Sequence, residues 1–180
     1  MSVITLGDKK FIKYISESEI VSAINNIAEK INIEYRDEIP VVVVTLNGAI
    51  FFAVDLMQRL TMDIIVSCVR VNSYSGTETT NSIENLIGLK EDVAGKRVLI
   101  LEDIVDTGNT YQYLYDMLVA RGAKDIAIAT MTFKPDAYKK ALPVHYPALS
   151  IPPKFVVGHG LDYDGLGRNY KDIYQIIEEK

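Results

Sequence analysis

Apolar residues along the chain alternate between two periods. Ile20, Ile24, Ile27 and Ile31 recur at helical spacing behind Ser16 and Glu19, which spell an S-x-x-E capping box, so residues 17–31 are predicted as an amphipathic helix. The run PVVVVTL at 40–46 is continuous instead, the pattern of a strand buried on both faces. An Asn-Gly turn follows, then AIFFAVDLMQRL at 49–60 as a mostly buried helix and DIIVSCVRV at 63–71 as the next strand. RVLIL at 97–101 and DIAIATMTF at 125–133 are predicted strands on either side of a helix over 109–121, which carries Tyr111, Leu114 and Leu118 in register and stops at Gly122. Strands alternating with helices predict an α/β fold with a parallel sheet and crossover helices. Residues 72–82, NSYSGTETTNS, have the composition of a mobile loop. In the tail, KFVVG and DIYQII are short apolar runs among prolines and glycines, predicted as strands of a small flap.

Length and charge narrow the reading. At 180 residues, with no internal repeat or low-complexity linker, the chain is predicted to be one domain. Its net charge of −5 and its lack of a dense Lys/Arg run argue against a nucleic-acid partner. No apolar run is long enough to cross a bilayer, and MSVITLGDKKFIKY lacks a signal-peptide core, so a cytoplasmic protein with no membrane partner is expected. The single Cys68 cannot form an internal disulfide and, within IIVSCVRV, is predicted to be a buried, inert thiol. His145 and His159 have no Cys or His cluster around them, so no zinc site is indicated, and His159 is expected to be structural or at a rim.

The chemistry concentrates in RVLILEDIVDTGNT, residues 97–110. Glu102, Asp103 and Asp106 stand at the end of a strand that must be buried, where close carboxylates repel and desolvation costs more still. Either they fray into solvent or a cation sits among them. In an open parallel sheet, ligands bind beyond the carboxyl ends of the strands. Gly108 permits a tight turn, Thr107 and Thr110 offer hydroxyls, and the amides of 106–110 can converge at the positive end of the following helix, a seat for phosphate. The carboxylates upstream suit Mg²⁺ or sugar hydroxyls. The plainer alternative is a strand-to-helix turn with a capping Asp or Thr.

The whole pattern of four apolar residues, two acids, two apolar residues and D-T-G-x-T resembles the diphosphoribose-binding signature of the type I phosphoribosyltransferases. LNGAIFFAVDL at 46–56, VNSYSGTETT at 71–80, FKPD with Lys134, and KFVVGHGLDYDGLGRNYKDIY at 154–174 resemble, in the same order, further segments of that family's hypoxanthine-guanine branch. The resemblance implies a single domain over 1–180: a Rossmann-like, mostly parallel twisted sheet flanked by helices at roughly 36–140, with a small hood from about 1–15 and 141–180. It implies a purine-salvage enzyme that moves the 5-phosphoribosyl group of 5-phosphoribosyl 1-diphosphate onto hypoxanthine and/or guanine, with Mg²⁺ as cofactor, giving IMP or GMP and pyrophosphate. A homo-oligomer, dimer or tetramer, is also implied.

Carried onto matching positions, the resemblance gives each residue a role. Glu102 and Asp103 would hold the ribose hydroxyls and one Mg²⁺; Asp162, beside the purine, would meet a second. Asp106, Thr107, Gly108, Asn109 and Thr110 would cradle the 5′-phosphate end of the diphosphoribose, with Asp106 also the candidate base for the purine proton. Asn47, Gly48, Ser73, Tyr74 and Arg168 would face pyrophosphate, under a loop 72–82 that closes. Lys134 would donate to the 6-oxo group, Phe155 would stack on the base and the Val156 backbone would read its opposite edge. In the family the peptide before the glycine can be cis, which here would be Leu46–Asn47. Two departures stand out: Asn47 and Asn109 occupy positions where the family often has lysine. Xanthine as a further substrate, or a regulator that senses nucleotide without turnover, are the alternatives within this fold. A dinucleotide-binding oxidoreductase is disfavoured because no G-x-G-x-x-G follows an early strand.

Overall fold

The computed structural model describes residues 2–73 and 83–178. Tyr74 and most of the predicted loop 72–82 therefore lie outside the described residues. The larger sheet has six strands in the order β5-β4-β3-β6-β7-β8, from β3 (Val41–Leu46), β4 (Ile65–Ser73), β5 (Ile83–Ile87), β6 (Arg97–Val105), β7 (Asp125–Phe133) and β8 (Tyr146–Ser150). All neighbours are parallel except the β4–β5 pair. The sheet is thus mostly parallel, as expected.

The continuous valines of β3 are buried on both faces because both faces are covered. Val42 and Val44 pack with α1 (Glu17–Glu34) and α2 (Ile50–Met57), while Val41 and Val43 pack with α3 (Asn109–Ala120). The capping box forms as predicted: the Glu19 amide donates to Ser16 Oγ at 3.3 Å and the Ser16 amide to Glu19 Oε2 at 2.8 Å. From that start α1 lays Ile20, Ile24, Ile27 and Ile31 on the sheet and runs three residues past its predicted end.

A second sheet forms the hood. β1 (Val3–Leu6), β2 (Lys9–Ile15), β9 (Val156–Val157) and β10 (Ile173–Ile176) pair antiparallel in the order β1-β2-β10-β9, around Leu6, Phe11, Val157 and Tyr174. The two predicted tail strands are β9 and β10. The predicted boundaries of the hood need correction. β8 pairs in parallel with β7, so 146–150 belong to the larger sheet, and α1, placed outside the predicted core range, packs on that sheet.

Cys68 also departs from expectation, being exposed. In the parallel ladder Val66 pairs with Val42 and Cys68 with Val44, so both point to the side of α1 and α2. Those helices make their main contacts with β3, β6 and β8, and Val66 and Cys68 are left open.

At the amino ends of the strands Arg97 ties the layers together. Its Nη2 lies 2.8 Å from Glu34 Oε1 at the end of α1 and 3.0 Å from Asp125 Oδ2 on β7, and its guanidinium stacks 4.0 Å over Tyr35. Arg97→Met keeps the stem but removes these contacts. Urea denaturation should show a loss of about 1–3 kcal/mol, with unchanged circular dichroism in the native state.

Candidate active site

The ladder between β6 and β7 continues to Val105–Phe133, so Glu102 and Asp103 lie inside the last turns of the strand and not beyond it. Parallel register brings the carboxyl ends of β3, β4 and β6 to one edge. There Asn47, Gly48, Arg70, Glu102, Asp103 and Thr110 line a cavity of about 430 Å³, and the hood adds Asp162 and Arg168. A smaller cavity of about 160 Å³ adjoins it, lined by Asp106, Thr107, Gly108, Asn109 and Thr110, with Glu102 common to both.

Local backbone explains how these groups converge. The Leu46–Asn47 peptide is cis. Gly48 lies directly on the Asp103 carboxylate: a Cβ there would come within 1.6 Å of Asp103 Oδ2. Gly108, at φ 84°, turns the chain into α3, whose first bond runs from the Gln112 amide to the Gly108 carbonyl at 2.9 Å. Asp106 Oδ2 accepts from Lys134 Nζ at 2.7 Å, so the candidate base and the candidate purine reader are an ion pair. In the hood, Arg168 Nη2 meets Asp162 Oδ1 at 2.7 Å and its Nη1 donates to the Gly160 carbonyl at 2.7 Å.

Not every candidate reaches these cavities. Phe155 is exposed on the hood beside Phe11 and Tyr163, and Val156 is buried in β9; neither lines either cavity. Ser73 ends β4 at the same sheet edge. His159 lies outside both cavities, 6% exposed, with Nε2 3.6 Å from Asp55 on α2, and burial lowers its imidazole pKa. The next residue, Gly160, packs on the Gly48 carbonyl: a Cβ there would come within 2.0 Å of that oxygen. Arg70 was not foreseen. Its signal in the sequence is a lone cation in an apolar strand just ahead of the polar loop.

The carboxylates are under electrostatic load. Burial, and then the neighbouring Asp103, push Glu102 well above the usual carboxylate range. Burial raises Asp103 from 3.8 to about 6, opposed by backbone hydrogen bonds and by Arg168. Two adjacent acids that hold protons this tightly have a donor set that fits a divalent cation.

Residues 14–164 match the phosphoribosyl transferase domain family. The chain belongs to this family. It is 37% identical over 166 residues to the hypoxanthine phosphoribosyltransferase of Escherichia coli, covering 91% of this chain and 93% of that protein. It is 36% identical over 156 residues to the bifunctional protein TilS/HprT of Listeria innocua, where the match covers 86% of this chain but only 24% of the longer relative. A crystal structure of a hypoxanthine phosphoribosyltransferase from Staphylococcus aureus superimposes with a TM-score of 0.87 at 31% identity, over 92% of this chain and 90% of that one.

Within this phosphoribosyl transferase chain, the load on Asp103 has a signature in stability. A carboxylate whose folded pKa is raised stabilises the fold most below its unfolded value, and that contribution is lost as pH rises through the folded value. Asp103→Asn removes the ionisation. In metal-free buffer the variant should therefore gain thermal stability relative to the parent as pH rises from about 4 through about 6. A stability difference that is flat with pH would contradict the burial of this charge.

Proposed function

We propose that the chain is a cytoplasmic purine-salvage enzyme that transfers the 5-phosphoribosyl group of 5-phosphoribosyl 1-diphosphate to hypoxanthine and/or guanine, releasing pyrophosphate. The observation that carries this reading is the pairing of two adjacent carboxylates, Glu102 buried and Asp103 half-buried, with a phosphate-sized turn at one sheet edge. The relatives' activity supports it. Glu102 and Asp103 are the residues that would hold Mg²⁺ and the ribose hydroxyls, with Asp162 toward pyrophosphate. The bound metal neutralises the leaving group. Arg168 and Arg70 add cations on the same side, with Gly48 offering backbone and Asn47 a neutral amide. Ser73, at the end of β4, and Tyr74, outside the described residues, are the remaining residues that would meet pyrophosphate.

At the sugar carbon, the bond to pyrophosphate breaks as a purine nitrogen bonds. The carbon becomes electron-poor in between, and the nearby carboxylates stabilise that charge in a water-poor site. Asp106 takes the proton from the purine. Its ion pair with Lys134 fixes where the accepting oxygen stands. Lys134 donates to the 6-oxo group, Phe155 stacks on the base, and the Val156 backbone reads the other edge. Adenine presents an amine to the ammonium and leaves a polar group unpaired, which disfavours it by orders of magnitude.

The partner chain in this reading is a second copy. A parallel strand is normally covered on both faces. The open side of β4, with Val66 44% exposed, and the outer stripe of α2, with Ile50 46% and Val54 47% exposed, lie on one side of the sheet. These are the apolar surfaces a dimer would cover.

Three outcomes test the proposal. Asp106→Asn should lower turnover about 10²–10⁴-fold and leave diphosphoribose binding intact; normal turnover removes the base assignment. Lys134→Ala should lose the preference for hypoxanthine over adenine, read as the ratio of kcat/KM values. The double variant Val54→Glu, Val66→Lys should sediment as a smaller species than the parent; an unchanged mass places the contact elsewhere.

A further inference from the structure

Behind Gly108, outside the lining of the phosphate seat, the turn at the start of α3 is backed by a second wall. The chain leaving β7 doubles back along it, held at three points. The Lys134 amide donates to the Val105 carbonyl at 2.9 Å, Lys134 Nζ reaches Asp106 at 2.7 Å, and the Lys139 amide donates to the Thr107 carbonyl at 3.3 Å. Tyr138 and Lys140 then close against Gly108. A Cβ on that glycine would come within 2.4 Å of Tyr138 Cε2 and 2.8 Å of Lys140 Cγ. Tyr138 is itself anchored, edge-on to Phe133 at 5.4 Å and with its hydroxyl donating to the Leu142 carbonyl at 2.7 Å.

Lys139 and Lys140 stand on this wall, and among the described residues neither is in an ion pair. Lys139 is exposed, whereas the half-buried stem of Lys140 lies against Gly108 of the turn. The seat's own donors are amides and hydroxyls, and Asp106 puts a carboxylate beside it. A phosphate dianion arriving there brings charge of its own, which Lys134, already paired with Asp106, does not answer.

We propose that Lys140 is the cation of the 5′-phosphate seat, standing in for the charge that Asn109 does not carry. One segment, Lys134 to Lys140, then supplies an ammonium to each end of the nucleotide. The inference rests on the phosphoribosyl-transfer reading. A lysine suits this position because it carries a compact charge on a flexible stem and can reach a phosphate from the side.

Calorimetric titration with ribose 5-phosphate and, separately, with inorganic pyrophosphate tests it. In Lys140→Gln, affinity for ribose 5-phosphate should fall about tenfold, with pyrophosphate affinity unchanged. Adding Asn109→Lys to Lys140→Gln should recover most of the loss, and Lys139→Gln should leave both affinities as they were. Unchanged ribose 5-phosphate affinity in Lys140→Gln overturns the proposal. So does an equal loss for pyrophosphate, or a failure of Asn109→Lys to rescue. A parent protein that forms no IMP from hypoxanthine and diphosphoribose, yet binds ribose 5-phosphate through Lys140, overturns the transfer reading and upholds the lysine assignment.

Discussion

Strands covered by helices on both faces favour apolar residues along their length and leave charged groups to their carboxyl ends. β3 carries four valines that are all buried, with helices packed on each side of it. Thr45, Glu102 and Asp103 accordingly stand in the carboxyl-terminal halves of β3 and β6, the first two buried and the third half-buried. The candidate site is a consequence of this constraint. Parallel register brings the carboxyl ends of β3, β4 and β6 to one edge, and the hood adds Asp162 and Arg168 there.

The parts legible in the sequence are those where one period or one motif dominates. The capping box with its isoleucine stripe, the valine run and the D-T-G-N-T turn each have a single local reading, and each forms where predicted. β1 and β2 were not foreseen because VITL and KKFIKYI bury one face at most and carry lysines on the other. β8 reads as a loop because YPALS is short and holds a proline, tolerated at a sheet edge. Cys68 illustrates the opposite failure. Its apolar neighbours signal a buried strand, but how far a helix layer extends sideways is a tertiary property that no local window contains.

The site was readable in its anionic half and much less so in its cationic half. Acids at the end of an apolar strand are conspicuous because burial makes them costly. Arginines and lysines are common on surfaces, so Arg70 and the segment after β7 emerge only once the fold has placed them. The same asymmetry governs the electrostatics. Lys134 and Asp106 satisfy one another, while among the described residues Glu102 and Asp103 are in no ion pair and burial raises the pKa of each.

Arg168 is the exception on the cationic side, already clamped by Asp162 and by the Gly160 carbonyl within its own hairpin. An arginine loses substantial rotamer freedom when fixed, and here that loss falls on folding and not on the arrival of a substrate. A guanidinium held this way stands at the cavity already oriented, so its conformational cost is settled before any ligand enters.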